Sequence, residues 1–126
     1  MQSLEMEKTN STPYIHFDAA SRTLQLRGES FPENAAMFYS PVLQWIRGFL
    51  DNPNESGIKI EFKIIYFNSS TSKIFLTLFD LLEEGVKNGK DIRIVWRCDK
   101  ENDIALECGQ EFKEELQNLP FLIEVY

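Results

Sequence analysis

Four consecutive hydroxyl side chains, Ser69, Ser70, Thr71 and Ser72, follow the apolar run Ile64-Ile65-Tyr66-Phe67 and Asn68. They open a segment patterned as a long helix. The first helical turn has backbone N–H groups without intrahelical partners, and a Ser, Thr or Asn side chain that accepts from one contributes ~1 kcal/mol. One cap accounts for one hydroxyl, not four. The same free donors and the positive end of the helix dipole also accommodate a phosphate. A phosphoserine there would bring a charge of about −1.5 to −2, and Lys73 stands near enough in sequence to help neutralise it. The cluster lies where a strand ends, the usual place for sites in open α/β sheets. Simple capping and a phosphorylation switch both fit these residues.

No catalytic constellation emerges elsewhere. His16 is the only histidine, and it alternates away from Ile15 and Phe17 with no nucleophile or second ligand beside it. Cys98 and Cys108 match no zinc or redox spacing. The glycines are scattered rather than gathered into a phosphate loop, and no serine sits in a nucleophile elbow. The pairs Glu83-Glu84 and Glu114-Glu115 read as solvated helix faces. The expectation is a non-enzyme without metal or cofactor.

The chain of 126 residues is long enough for one filled core. Its 13 basic and 20 acidic side chains leave a net charge of −7, which disfavours nucleic acid and anionic membranes as main partners. No signal peptide or membrane-length apolar run is visible, and two unmatched thiols suit a reducing compartment. A cytoplasmic protein is expected.

The elements follow from periodicity. Tyr14 to Asp18 and Thr23 to Arg27 alternate and predict an antiparallel hairpin. Phe38, Val42, Trp45, Ile46 and Phe49 predict a helix interrupted by Pro41. Either it kinks there, or Ser40 caps a second helix. Ile58 to Phe67 is the strongest strand, and its continuous end Ile64 to Phe67 predicts helices on both faces of the sheet. A helix runs from about residue 70 to Lys87, where Lys87-Asn88-Gly89 stops it. Asp91 to Cys98 is a second buried strand. Asn102 caps a helix with the stripe Ile104, Cys108, Phe112 and Leu116, and Phe121 to Val125 is a last strand. This predicts an α/β fold, a hairpin followed by alternating strands and helices around a mostly parallel, roughly five-stranded sheet. Residues 1–10 are expected to be a flexible arm and 11–126 a single domain.

Four features make the chain resemble the SiaC family of bacterial regulatory phosphoproteins. Ser11-Thr12-Pro13 leads into the first strand of the hairpin. Gly28-Glu29-Ser30-Phe31-Pro32-Glu33-Asn34 is similar to the family's Gly-Glu/Asp-Ser-Tyr-Pro-Glu-Asn signature, with Phe31 for Tyr. Phe38-Tyr39 and Trp45 follow at the family's spacing. Tyr66-Phe67-Asn68-Ser69-Ser70-Thr71-Ser72-Lys73 is similar to its Tyr-Leu/Phe-Asn-Thr-Ser-Ser-x-Lys segment. The likeness runs from about residue 11 to 125.

The resemblance implies a STAS-like fold and a place in a partner-switching circuit. A serine/threonine kinase would phosphorylate the protein, and a PP2C-type phosphatase would reverse this. The unphosphorylated form would bind and activate a GGDEF diguanylate cyclase, raising cyclic di-GMP and favouring biofilm growth. The family's phosphoacceptor follows the Asn, which makes it Ser69 here, where the family pattern carries Thr. Ser70 and Thr71 are the alternatives. Asn68, Ser72 and Lys73 complete the switch segment. Glu29, Ser30, Phe31, Pro32, Glu33 and Asn34 are expected either to contact a partner or to form only a strand-to-helix turn. Tyr39 and Trp45 are interface anchors or core.

Overall fold

The computed structural model describes residues 2–126. Among these, six strands form one sheet in chain order: β1 (Glu5–Met6), β2 (Tyr14–Asp18), β3 (Thr23–Ser30), β4 (Gly57–Phe67), β5 (Asp91–Cys98) and β6 (Phe121–Val125). β1, β2 and β3 pair antiparallel, and β3 through β6 pair parallel. The helices α1 (Ala35–Asp51), α2 (Ser69–Lys87) and α3 (Asp103–Glu114) fill the three crossovers. No helix of the described residues is long and apolar enough to cross a membrane.

All three helices cover the same face. One register row across the sheet is Phe17, Leu24, Ile60, Ile94 and Phe121. In that row Phe17 meets Trp45 of α1, and Phe121 meets Phe79 of α2. The next row on this face holds Phe62 and Trp96, which pack on Phe75 of α2 and Phe112 of α3. Strands laid down in sequential order with crossovers of one hand return every helix to one side. The opposite face therefore carries no helix, and the expected second layer does not exist.

The apolar run that suggested two covered faces has another cause. Register slips between Gly28 and Glu29, so that Gly28 pairs Ile64 while Glu29 pairs Tyr66. Ile65 is thus the extra residue of a β-bulge, which breaks the alternation of its strand. Ile65 and Tyr66 both turn outward, 59% and 52% exposed, while Phe67 returns to pack on Phe75 and Trp96.

Two further expectations are corrected, and one open alternative is decided. The sheet has a sixth strand because the N-terminal arm is tied down. Leu4 and Met6 flank Glu5 with period two and pack against the core, Glu5 pairs His16, and the Phe17 N–H donates to the Leu4 carbonyl at 2.8 Å. No second helix begins at Ser40: α1 continues through Pro41, which lies on its exposed side, where solvent can reach the carbonyl that the ring leaves without a donor. In α3 the buried stripe is Ala105, Gly109 and Phe112, and Ile104 is 74% exposed. The helix approaches β5 on its smallest residues. Trp96 Nε1 donates to the Ala105 carbonyl at 2.9 Å, and a Cβ on Gly109 would stand 2.5 Å from Trp96 Cδ1. That close approach turns Ile104 to solvent.

The α3–β6 connection hangs on one carboxylate. Glu83 of α2 accepts from the backbone N–H groups of Gln117 (3.1 Å), Asn118 and Leu119 (3.0 Å). Partial burial pushes its carboxyl up, but these donors more than offset that and hold it below the usual range.

Two outcomes are expected. Gly109→Ala should cost about 1–3 kcal/mol in urea denaturation, and an unchanged midpoint would mean α3 can slide off Trp96 freely. Because the folded Glu83 carboxyl titrates below its unfolded value, its contribution is complete above the unfolded value and disappears as pH falls through the folded one. Melting curves from about pH 7 to about pH 3 should therefore show a smaller acid-induced loss for Glu83→Gln than for the parent chain.

Candidate functional site

Where β4 ends, Asn68 takes an extended backbone (φ −86, ψ 176) and its Oδ1 accepts from the Thr71 N–H at 2.9 Å. The cap of α2 is thus an asparagine, and none of the four hydroxyls is needed for it. Ser69 and Ser70 are the first two residues of α2, and both are exposed. Thr71 is fully buried, so it offers no accessible hydroxyl. Ser72 is half-buried and donates its N–H to the Asn68 carbonyl at 3.0 Å, and Lys73 is exposed one turn on.

Thr71 belongs to a buried chain of hydroxyls. Ser30 Oγ lies 2.6 Å from Tyr39 Oη and 2.9 Å from Thr71 Oγ1, and Thr71 Oγ1 donates to the Ser30 carbonyl at 3.2 Å. Each hydroxyl has one proton, so the order of donation follows: Tyr39 to Ser30 Oγ, Ser30 Oγ to Thr71, Thr71 to the Ser30 carbonyl. Burial pushes the Tyr39 phenol up to about 12, which keeps it a neutral donor. The Asn68 N–H also donates to the Ser30 carbonyl, at 3.0 Å. Ser30 therefore ties the end of β3 to α1 and to the first turn of α2.

The segment from Gly28 to Asn34 divides by alternation. Gly28 has φ 114, a conformation costly for any residue with a Cβ, and it stands at the bulge. Ser30 and Pro32 are buried, and Asn34 caps α1 by accepting from the Met37 N–H at 3.0 Å. Glu29, Phe31 and Glu33 are exposed, and the Phe31 ring lies 6.0 Å from that of Tyr66. Tyr39 is core. Trp45 packs on Phe17 at 4.7 Å and donates Nε1 to the Gln2 carbonyl, which makes it a clamp on the N-terminal segment.

The sequence reading did not single out three exposed apolar side chains at the carboxyl end of the sheet, Ile65, Tyr66 and Ile104. Ile65, Tyr66 and Ile104 line one shallow depression with Phe67, Asn102 and Cys108, and Asn102 Nδ2 donates to the Ile65 carbonyl at 2.9 Å. The available signal was the break in polar alternation after Lys63. With Phe31, these residues make the carboxyl edge of the sheet an apolar rim beside Ser69. Among the described residues, no three His, Cys, Asp or Glu side chains gather as metal ligands.

Ser30→Ala should strand the Tyr39 hydroxyl inside the core and cost about 1–3 kcal/mol, while Tyr39→Phe, which leaves the Ser30–Thr71 link intact, should cost about 1 kcal/mol. Urea denaturation of both variants checks this. A Ser30→Ala loss no larger than that of a surface substitution would show that the hydroxyl chain contributes nothing.

Comparison with known proteins places the chain. Residues 6–126 match the model of the SiaC family regulatory phosphoproteins. An uncharacterised protein of Pseudomonas aeruginosa strain UCBPP-PA14 is 30% identical over 126 residues, covering 100% of this chain and 98% of that one. The solved structure of SiaC of Pseudomonas aeruginosa superposes with a TM-score of 0.90 at 29% identity, covering all of both chains. A chain in the crystal structure of the diguanylate cyclase SiaD with its activator SiaC, also from Pseudomonas aeruginosa, has a TM-score of 0.90 at 30% identity, covering 98% of this chain and 99% of that one. The family match over nearly the whole length, together with these structural neighbours, settles that the chain belongs to the SiaC family of regulatory phosphoproteins.

Proposed function

We propose that this chain is a non-catalytic switch whose unphosphorylated form binds and activates a diguanylate cyclase. In this reading a serine/threonine kinase phosphorylates Ser69 and a PP2C-type phosphatase restores it. The supporting observation is the setting of Ser69: an exposed hydroxyl at the first position of α2, beside the apolar rim of Phe31, Ile65, Tyr66 and Ile104. Family membership points the same way, and in the solved complex the related SiaC is the activator of a cyclase.

The physics of such a switch is local. Exposed apolar side chains gain about 1.5–3 kcal/mol each when fully buried, which favours a partner seated on the rim. A phosphoserine at Ser69 is well housed in the free chain, because the start of α2 supplies positive potential and Lys73 lies one turn away. Buried under a partner, the same dianion loses its water and costs several kcal/mol unless the partner offers a cation. The modification thus weakens docking without refolding the domain.

A second reading, an adaptor that is never phosphorylated and whose hydroxyls only cap the helix, is less well supported. Asn68 already supplies the cap and Thr71 serves the core, so Ser69 and Ser70 have no structural task.

Ser69→Ala should bind and activate the host's cyclase whether or not the kinase is present. Ser69→Asp should bind at least about tenfold more weakly, a difference of ~1.4 kcal/mol. Titration calorimetry and cyclase turnover on the same preparations measure both. Equal binding by the two variants would sink the proposal, and so would phosphopeptide maps from the host in which Ser69 is never modified.

A further inference from the structure

The helix-free face of the sheet carries a stripe of cations that the acidic composition conceals. Arg27 on β3 and Lys63 on β4 are register partners. Lys63 and Arg97 of β5 approach the same ring, Tyr126, at 4.9 Å and 5.9 Å. Three positive side chains therefore stand side by side across three neighbouring strands. Like charges placed opposite one another on a sheet destabilise it, so this arrangement calls for something anionic.

The protein supplies it for one of the three: Arg97 Nε pairs with Glu124 at 3.3 Å, and Glu61 interacts electrostatically with the same guanidinium. Arg27 and Lys63 are exposed, and among the described residues neither has a carboxylate within ion-pair distance. Each lies over an aromatic face instead, Arg27 over Tyr14 at 4.9 Å and Lys63 over Tyr126. Arg27, Lys63 and Lys8 line one shallow depression with Tyr14, Glu7 and Ile65. Ile65, the bulge residue, joins this depression to the apolar rim beside α2.

We infer that this stripe docks an acidic segment of a partner protein, one that sets two or three carboxylates beside an apolar side chain. Strands ~4.8 Å apart make the three-cation stripe about 10 Å wide, which suits a short segment rather than a long polyanion. Arginine forks match carboxylates in two-point contacts. Ile65 offers an apolar contact that a phosphate backbone cannot use. Glu7 and Glu124 flank the stripe, and the body of the molecule is acidic, so a nucleic acid or an anionic bilayer would meet repulsion at once. Two copies of the chain cannot meet through this face, because the stripes would repel. The inference concerns a surface apart from Ser69 and stands whatever the fate of the phosphorylation reading.

The test is amide chemical-shift mapping of the full ¹⁵N-labelled chain with an oligoglutamate peptide at low salt. Shifts should centre on Arg27, Lys63, Arg97 and Tyr14, and should fade as salt shortens the screening length below about 8 Å. The double variant Arg27→Gln with Lys63→Gln should weaken binding at least about fivefold, with an unchanged far-ultraviolet circular dichroism spectrum. Absence of binding at low salt would overturn the inference. So would shifts confined to the helical layer, concentration-dependent self-association through the sheet face, or tighter binding of a DNA duplex or phosphatidylglycerol vesicles than of the peptide.

Discussion

Three buried hydroxyls hold the end of β3 and the starts of α1 and α2 together. Tyr39, Ser30 and Thr71 pass their protons along one chain, and the backbone of Ser30 takes two more donations, from Thr71 and Asn68. A polar group inside a core is costly unless it is satisfied, and a satisfied network is correspondingly particular about geometry. Here it fixes the end of β3, the second turn of α1 and the start of α2 against one another. The position of Ser69 on the surface is therefore set from below, by buried residues. Sequence motifs that look like contact surfaces can be scaffolding: in the Gly28–Asn34 segment, alternate residues are buried or capping, and only Glu29, Phe31 and Glu33 face out.

The second constraint is topological. Sequential strand order puts every helix on one side and leaves a sheet face open. That face must be tolerable to water, and it is polar along most of its area. Its exceptions carry information. The bulge at Ile65 pushes two apolar side chains outward at the carboxyl edge, and Arg27, Lys63 and Arg97 align across three strands with a carboxylate, Glu124, paired to Arg97 alone among the described residues. Both exceptions lower the cost of covering the surface with something else, one through apolar burial and the other through charge.

Rigidity and chemistry divide along the same line. The aromatic interior from Phe62 through Phe75, Phe79, Trp96 and Phe112 is closely interlocked, and α3 approaches β5 on Ala105 and Gly109. Nothing in that interior titrates near neutrality, since the Tyr39 phenol is pushed up to about 12 and burial raises the Cys98 and Cys108 thiols. The exposed polar groups lie outside that interior, Ser69 and Ser70 at the start of α2 and Arg27 and Lys63 on the open sheet face.

The order of elements, the hairpin, the parallel second half and the hydroxyl cluster at a helix start were legible in the sequence, because each is written in short-range periodicity and in the local chemistry of caps. The resemblance to the family was legible for the same reason, through contiguous segments. What periodicity does not carry is how elements meet. The bulge, which turned a run suggesting two covered faces into an exposed apolar edge, arises from pairing between Gly28 and Ile64, far apart in the chain. The outward turn of Ile104 follows from how closely α3 approaches Trp96, and the strand at Glu5–Met6 exists only because β2 offers it an edge. The division of four similar hydroxyls into an accessible Ser69 and a buried Thr71 likewise depends on Ser30 and Tyr39 arriving from other elements. Local sequence determined which residues stand at the site; long-range contacts, whose geometry no short segment encodes, decided which of them face the solvent.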